Sequence, residues 1–341
     1  MQDKRRITLK DIARDLGISI STASRALNSY SGISDETIKM VKDYAEKHNY
    51  VPNSIAVNFR KNKTLTIGMI VPELVHHFFS SVISGAISEA NKQGYRLLVS
   101  QSDESLNNEI RACRSMLAGS VDGLIISISN ETQEGSHIRE FLDEGKPVIQ
   151  FDKIIENLKT PKVITDDFES AYIAVKHLID QGYKKIAHIN GRKEVKNSID
   201  RLQGYKQALL DHRLEFREDW VPHCTDISEK EGFDYAQQLM NLPTPPDAIF
   251  CITDLVALGA LNFLKKNGYK VPQEVGVMGF SNWKIAEVVG PGLSSVDQHG
   301  FEMGEKATSL LLELLKEGLT GENKTYKIDT DLVIRESTQK S

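Results

Sequence analysis

The chain is poor in cysteine and has no long apolar run. Its 341 residues include three cysteines, Cys113, Cys224 and Cys251. An odd number of widely spaced cysteines fits neither a disulfide framework nor a zinc ligand set. No stretch approaches the roughly 18 apolar residues of a membrane span, and no apolar segment follows the charged start MQDKRRITLKD. We therefore expect a cytoplasmic protein that is neither exported nor held in a membrane.

Short motifs of common catalytic sites are also missing. The sequence contains no G-x-S-x-G, no G-x-x-x-x-G-K-[ST] and no H-E-x-x-H, and GVMGF is not a G-x-G-x-x-G fingerprint. His76 and His77 are adjacent, which is not the helical spacing of a metal-binding pair. We therefore expect no catalytic residue, no metal ion and no cofactor.

Charge is distributed unevenly along the chain. Residues 1–63 contain 12 Lys and Arg against 7 Asp and Glu, whereas the remainder contains 30 against 40. A chance fluctuation would give the same count, but the asymmetry is typical of a basic module attached to an acidic globular body. At about 100–200 residues per domain, the length predicts two or three packed units.

The first fifty residues predict three short helices. Thr8 and Asp11 have the spacing of a capping box, and Gly17 ends the helix that they open. Ser19 can cap a second helix. Ser34 can cap a third, whose expected buried stripe consists of Ile38, Val41, Ala45 and His48.

Two short helices joined by a glycine-containing turn, with a third behind them, are typical of a helix-turn-helix module. In that geometry the second helix presents its first residues to base edges in the major groove. Arg25 suits guanine, Ser21 suits several bases, and Ile20 suits a thymine methyl group. A helical bundle that docks another protein is the alternative, but it leaves Ile20 beside Arg25 unexplained.

The string ITLKDIARDLGISISTASRALN, followed by YVPNSIAVNF, resembles the lactose/galactose repressor family of bacterial transcriptional regulators over essentially the whole chain. The resemblance implies a helix-turn-helix domain over 1–51, a hinge helix over 52–63, and an effector-binding and dimerisation domain over 64–341. The implied DNA-binding residues are Thr8, Ser19, Ile20, Ser21, Thr22, Ser24, Arg25, Asn28, Asn53, Ala56 and Phe59.

The basic stretch PNSIAVNFRKNKT stands where the family has its hinge helix. Ile55, Ala56 and Phe59 would share one apolar face, and Asn53 or Ser54 can cap its start. Phe59 occupies the position of the leucine that wedges into the minor groove in the family, and phenylalanine can also unstack a base step. So short a helix should form only when it is paired on DNA.

Beyond Thr64, apolar strands alternate with amphipathic helices, which predicts α/β architecture with parallel sheets covered on both faces. The expected strands are TIGMIVP, YRLLVSQ, DGLIISIS and PVIQF, then KVIT, KIAHIN, WVPHC, DAIFCIT and VGVMGF. The resemblance implies a periplasmic-binding-protein-like body of two Rossmann-like subdomains. The first would span about 64–162 and 293–324, and the second about 163–292 and 325–341.

Ligands of open α/β sheets bind beyond the carboxyl ends of the strands. The resemblance assigns effector contacts to Arg201, Asp152, Phe78 and Phe79, whereas Ser281 replaces the family's usual acidic residue. Aromatic rings beside polar groups favour a sugar or sugar derivative. The full candidate set is Phe78, Phe79, Asp152, Arg201, Thr253, Asp254, Ser281, Trp283 and Gln298.

Each of these candidates has a structural alternative. Asp254 could simply cap the following helix, Asp152 and Arg201 could form an ion pair across the cleft, and Trp283 could be the apolar face of a short helix.

The expected function is regulation of transcription, by repression, from a pseudopalindromic operator that is bound by a homodimer. A small carbohydrate effector would change the angle between the subdomains and hence the DNA affinity. No heptad tail follows DLVIRES, so we expect a dimer rather than a tetramer. Control by a protein partner, or by a purine or nucleoside, is the alternative.

Overall fold

The computed structural model describes residues 7–50, 63–318 and 323–340. The chain divides into two compact units after Thr64. The hinge helix expected over 52–63, including Asn53, Ala56 and Phe59, lies outside the described residues except for Lys63.

The N-terminal unit consists of the three predicted helices, each opened by its predicted hydroxyl cap. Thr8, Ser19 and Ser34 each accept a hydrogen bond from the backbone N–H three residues later, and Thr8 forms the predicted capping box with Asp11. The helices are α1 (Leu9–Asp15), α2 (Ile20–Leu27) and α3 (Asp35–Lys47).

The core of this unit is small and rich in alanine. Its buried members are Ile12, Ala13, Ala23, Ala26, Val41 and Ala45. The Tyr44 hydroxyl donates to Asp15 at 2.7 Å and ties α3 to α1. The expectation that His48 is buried was wrong, because α3 ends at Lys47 and the exposed His48 ring instead stacks on Tyr44 at 4.4 Å.

The body begins at Leu65 and alternates strands with helices, as predicted. In chain order its elements are β1 (Thr66–Val71), α4 (His77–Lys92), β2 (Arg96–Gln101), α5 (Leu106–Ala118), β3 (Leu124–Ile126), α6 (Ser136–Asp143), β4 (Val148–Phe151), β5 (Lys162–Thr165), α7 (Asp167–Asp180), β6 (Ile186–Ile189), α8 (Lys196–Asp211), α9 (Glu229–Met240), β7 (Ala248–Cys251), α10 (Asp254–Lys266), β8 (Gly276–Met278), β9 (Ser295–Asp297), α11 (Gly300–Glu317), β10 (Thr325–Ile328) and β11 (Asp331–Val333).

Two parallel sheets organise the body. The first has the strand order β10-β5-β4-β3-β1-β2, with α4 and α11 packed on one face and α5 and α6 on the other. The second has the order β6-β7-β8, with α7 and α8 on one face and α9 and α10 on the other. Covering both faces explains why the strands are continuous apolar runs.

Three sequence-based expectations for the body were wrong in detail. The KVIT strand, expected in the second subdomain, is β5 and pairs with β4 and β10 in the first sheet. The subdomain boundaries expected near 162, 293 and 325 therefore lie after the ends of β5, β9 and β10. They could not be predicted because an apolar run does not reveal which sheet it joins. WVPHC is not a strand, since it holds a 3₁₀ turn at Glu218–Trp220 and one isolated bridge at His223.

The chain passes between the two subdomains three times, and side chains brace the passages against one another. Lys327, at the end of β10, donates to Asp166 beside α7 at 2.6 Å. Thr330 and Ser170 share a hydrogen bond of 2.8 Å, and His299 contacts Asp331 at 3.0 Å. These contacts define a hinge at one side of the cleft.

Within the described ranges, no helix combines the length and apolarity that a membrane crossing needs.

Candidate functional site

The second helix of the N-terminal unit buries one face and exposes the other. Ala23 and Ala26 are fully buried against the other two helices. Ile20 is 46% exposed, and Ser21 and Arg25 are also exposed. An exposed β-branched side chain next to an exposed guanidinium gives an outward face that offers both apolar and hydrogen-bonding contacts.

The hydroxyl groups expected at the DNA have local partners as well. Ser19 accepts from the backbone of Thr22 at 3.0 Å and lies 2.7 Å from the Ser21 hydroxyl. The amide of Asn28 donates to the Ser24 carbonyl at 2.8 Å. Ser19, Thr22 and Thr8 therefore order the helix starts, and Ile20, Ser21 and Arg25 are exposed on α2.

Between the two subdomains lies a cavity of about 220 Å³. Seven of the nine expected effector residues line it, namely Phe78, Phe79, Asp152, Arg201, Thr253, Ser281 and Gln298. They come from both subdomains, since Phe78 and Phe79 begin α4 whereas Arg201 lies on α8. The cavity stands beyond the carboxyl ends of β1, β4 and β7, as the rule for open α/β sheets predicts.

Arg201 is held rigidly by its own subdomain. It donates to Asp167 at 2.8 Å and to the Ile252 carbonyl at 2.7 Å, and its guanidinium stacks 3.6 Å from the centre of the Phe280 ring. The alternative of an Asp152–Arg201 ion pair was therefore wrong, because Asp167 takes that place. A guanidinium fixed on three sides presents its remaining N–H groups in a defined direction.

Asp152 stands directly after β4 and faces the cavity without a cation bound to it. Its φ of +54° lies in the left-handed region, which aspartate tolerates better than most residues. Its nearest side-chain hydrogen-bond partner among the described residues is the Ser127 hydroxyl at 3.5 Å. Burial raises the pKa of this carboxyl from 3.8 to about 6.

Asp254 and Trp283 do not line the cavity. Asp254 is 1% exposed and accepts from the Ser295 hydroxyl at 2.6 Å and from the Trp283 backbone N–H. Burial raises its pKa to about 6. Thr253, not Asp254, is the N-cap of α10. Asp254 therefore braces the loop after β8, and its expected effector contact is not supported by this geometry.

Trp283 bridges the cleft at its edge instead. Its ring stacks on His76 at 6.2 Å and on His77 at 6.4 Å, both of which belong to the opposite subdomain. Burial lowers the pKa of His76 to about 4, so this imidazole is neutral near pH 7. The rings of Trp283, His76 and His77 therefore connect the two subdomains at the edge of the cleft.

Gln298 and Ser281 form a polar corner of the cavity. The Ser281 hydroxyl donates to the Gln298 side-chain oxygen at 3.0 Å. Gln298 is 3% exposed, and its Nε2 group has no hydrogen-bond partner in the described part of the chain. A buried donor without a partner is uncommon and is typical of a ligand-binding position.

Several lining residues were missed by the sequence analysis. Glu73, Asp103, Glu104, Lys153 and Arg192 all face the cavity. Their only signal in the sequence was their position just past strand ends, which many solvent-exposed charges share.

The N-terminal residues 8–53 match the family model described as bacterial regulatory proteins, lacI family. Residues 64–336 match the model described as periplasmic binding proteins and sugar binding domain of LacI family. This chain belongs to the LacI family.

Relatives over the full length support the assignment. The NTD biosynthesis operon regulator NtdR of Bacillus subtilis (strain 168) is 32% identical, over 97% of this chain and 99% of its own. A structure of the transcriptional regulator CelR in complex with cellobiose is 25% identical, with a TM-score of 0.74, over 97% of this chain and 100% of that one. The lac repressor dimer bound to operator and the anti-inducer ONPF has the same fold, with a TM-score of 0.88 at 24% identity over 98% of this chain and 99% of that one.

This LacI-family member is therefore a DNA-binding transcriptional regulator with a ligand-binding C-terminal domain, and it is not an enzyme. Its helix-turn-helix unit supplies the outward face of α2, and its C-terminal domain supplies the cavity between the subdomains.

Proposed function

We propose that this LacI-family regulator represses transcription as a cytoplasmic homodimer on a pseudopalindromic operator, with its affinity set by a small carbohydrate in the cleft. The proposal rests on two features that one chain combines. The N-terminal unit exposes Ile20, Ser21 and Arg25, and the body has a polar and aromatic cavity beside the three segments that connect its subdomains. A ligand that prefers one cleft angle shifts the population of that angle.

On the operator, α2 enters the major groove, and Ile20, Ser21 and Arg25 meet base edges. Thr8 and Ser19, at the starts of α1 and α2, lie where phosphates bind helix N-termini. Thr22, Ser24 and Asn28 flank the reading face. Asn53, Ala56 and Phe59 lie outside the described residues, and their contact with the DNA stays a prediction from the resemblance.

In the cleft, Phe78 and Phe79 stack on the apolar face of a sugar, while Arg201, Asp152 and Gln298 bond to its polar groups. Thr253 and Ser281 add hydroxyl groups to the lining of the cavity. The CelR structure was determined with cellobiose, which supports a carbohydrate as the ligand class.

A second copy of the chain is proposed to cover the apolar surface of the second subdomain. A groove of about 680 Å³ there is lined by apolar side chains that include Leu258, Leu261 and Val289. Val288, next to it, is 78% exposed. An exposed apolar surface of this kind is typical of an interface, and a two-fold operator requires a two-fold protein.

The test begins with selection of DNA from a random pool by the full-length protein. We expect an inverted repeat, bound with an affinity that falls steeply as salt rises. Sugars, sugar phosphates, purines and nucleosides are then titrated into the complex. Absence of any sequence preference would overturn the proposal. A response to purines alone would show that the ligand is a purine and not a carbohydrate.

A further inference from the structure

The wall that the first subdomain contributes to the cavity is strongly acidic. It carries Glu73, Asp103, Glu104 and Asp152, against a single cation, Lys153. The Lys153 ammonium contacts Glu104 at 2.5 Å and the side chain of Asn130 at 2.9 Å. One of the four carboxylates is thus neutralised inside the protein.

The other three carboxylates have no cation within salt-bridge distance in the described ranges. Glu73 has no side-chain hydrogen bond there, and Asp103 accepts only from the amides of Gln101 and Asn108. Asp152 has only the 3.5 Å contact from Ser127. Burial, followed by the charge of Glu104, raises the pKa of Glu73, and the charge of Lys153 opposes this rise without cancelling it.

Cations on the opposite wall do not balance this excess. Arg201 is paired with Asp167, and Arg192 donates to the Thr225 carbonyl in a segment that also carries Asp226. This side contributes two guanidinium groups, Arg192 and Arg201, and two carboxylates, Asp167 and Asp226, and Arg192 forms no salt bridge within the described ranges. The cavity and its immediate support therefore hold three more carboxylates than cations.

A second feature of the cavity is a buried hydrogen-bond donor that lacks a partner within the described ranges. The Nε2 group of Gln298, 3% exposed, faces the cavity with no partner among the described residues. A ligand hydroxyl can accept its hydrogen bond. The Phe78 and Phe79 rings also line the cavity and can pack against an apolar face of the same ligand, and a sugar ring offers both an apolar face and hydroxyl groups.

We infer that the effector is an amino sugar, whose protonated amine is bound by Glu73, Asp103 and Asp152 and whose hydroxyl groups meet Gln298 and Arg201. The inference rests on the proposed function and names its ligand class. An ammonium group supplies three donors and one positive charge, which compensates carboxylates that a neutral sugar leaves unbalanced. Phosphorylated sugars and uronic acids add negative charge to an acidic wall and are disfavoured.

The experiment measures binding of matched sugar sets to the full-length protein by calorimetry at pH 7. Each set contains an amino sugar, its parent sugar, its N-acetyl derivative and its 6-phosphate, with glucosamine, galactosamine and mannosamine as the three amino members. Putrescine tests an amine without a sugar ring. We expect at least one amino sugar to bind at least about tenfold more tightly than its neutral and acetylated counterparts.

Isosteric variants test which groups are responsible. Glu73→Gln and Asp152→Asn should each remove most of that preference, whereas Glu144→Gln, an exposed control in the same subdomain, should keep it. Equal or tighter binding of a neutral or phosphorylated sugar, binding of putrescine alone, or failure of every amino sugar at 50 mM would each overturn the inference. If only a neutral sugar changes operator affinity, the proposed function stands and the inference that the effector carries an amino group is refuted.

Discussion

The two units of this regulator place their candidate functional groups in opposite environments. In the N-terminal unit, Ile20, Ser21 and Arg25 are exposed to solvent. In the body, Arg201 and Gln298 are almost completely buried, and the pKa of Asp152 is displaced by burial. A surface that reads a long polymer needs an open face, whereas a site for a small molecule must replace water on nearly all sides.

The same contrast extends to the cores. Four of the six buried apolar residues in the core of the N-terminal unit are alanines. The body has large cores with fully buried side chains such as Trp220, Tyr205, Phe151 and Phe250. A small core has little stability in reserve, so a defect in the first unit should unfold that unit, while a defect in the body is opposed by far more packing. Both tryptophans, Trp220 and Trp283, lie in the body, so their fluorescence reports on that unit alone.

The largest expected effect is that of Arg201→Ala. The change leaves the buried Asp167 without its cation and should lower the free energy of unfolding of the body by about 3–5 kcal/mol. Urea unfolding followed by tryptophan fluorescence measures this loss. The double variant Arg201→Met with Asp167→Asn is the matched control, because it removes both charges and should recover most of the stability. A normal effector response in the double variant would remove Arg201 from the site.

Ile12→Ala should have the next largest effect. Ile12 is fully buried in the alanine-rich core, and its truncation should destabilise the N-terminal unit by about 2–4 kcal/mol. Operator binding should be lost while the tryptophan-detected unfolding of the body stays unchanged. Glu46→Ala, on the exposed side of α3, serves as the control. A parallel loss of body stability would show that the two units unfold together.

Arg25→Ala should weaken specific operator binding by about 1–3 kcal/mol if the guanidinium pairs with guanine. Binding to random DNA should change little. Lys10→Ala is the matched comparison, since losing an exposed lysine that contacts a phosphate weakens binding to all sequences and lowers the salt slope by about 1. Equal losses on both kinds of DNA would reassign Arg25 to the phosphate backbone.

Asp152→Asn should have the smallest effect, and unlike the other substitutions it should raise the free energy of unfolding. The folded protein raises the pKa of Asp152 to about 6, so the native state keeps a proton that the unfolded chain releases near pH 4. Stability contributed by this group therefore falls as pH rises from about 4 to about 6. The variant should be more stable than the wild type by about 1–2 kcal/mol at pH 7.5.

The gain from Asp152→Asn should vanish below pH 4, where both forms are neutral, and thermal unfolding across this pH range measures it. Asp103→Asn, at an exposed carboxylate of the same wall, is the control. A gain that persists at pH 3.5 would show that charge is not its cause.

Local signals explain which elements were predictable. The capping pairs at Thr8, Ser19 and Ser34 act within one helical turn, so their effect can be recognised without the rest of the fold. The alternation of strands and helices in the body was likewise predictable, because apolar periodicity is a local property of the sequence. The prediction that His48 is buried was wrong because burial at a helix end depends on what packs beyond that end.

Sheet membership and ion pairing could not be predicted in this way. β5 and β10 are adjacent in the first sheet although some 160 residues separate them in the chain. Asp167 holds Arg201 across 34 positions of sequence, whereas the structural alternative drawn from the sequence had paired Arg201 with Asp152. Glu73 had only its position just past β1 as a signal, since its importance comes from the carboxylates that the fold brings around it.

The sequence by itself therefore determined the helix-turn-helix unit, the alternation of strands and helices, and the aromatic and charged residues near strand ends. These follow from short-range hydrogen bonding and from apolar periodicity. Only the tertiary structure decided which carboxylates share the cavity, which of them lack a cation, and which aromatic rings close the cleft. Electrostatic balance in a cavity depends on distances between groups that are remote in sequence, and the folded chain alone sets those distances.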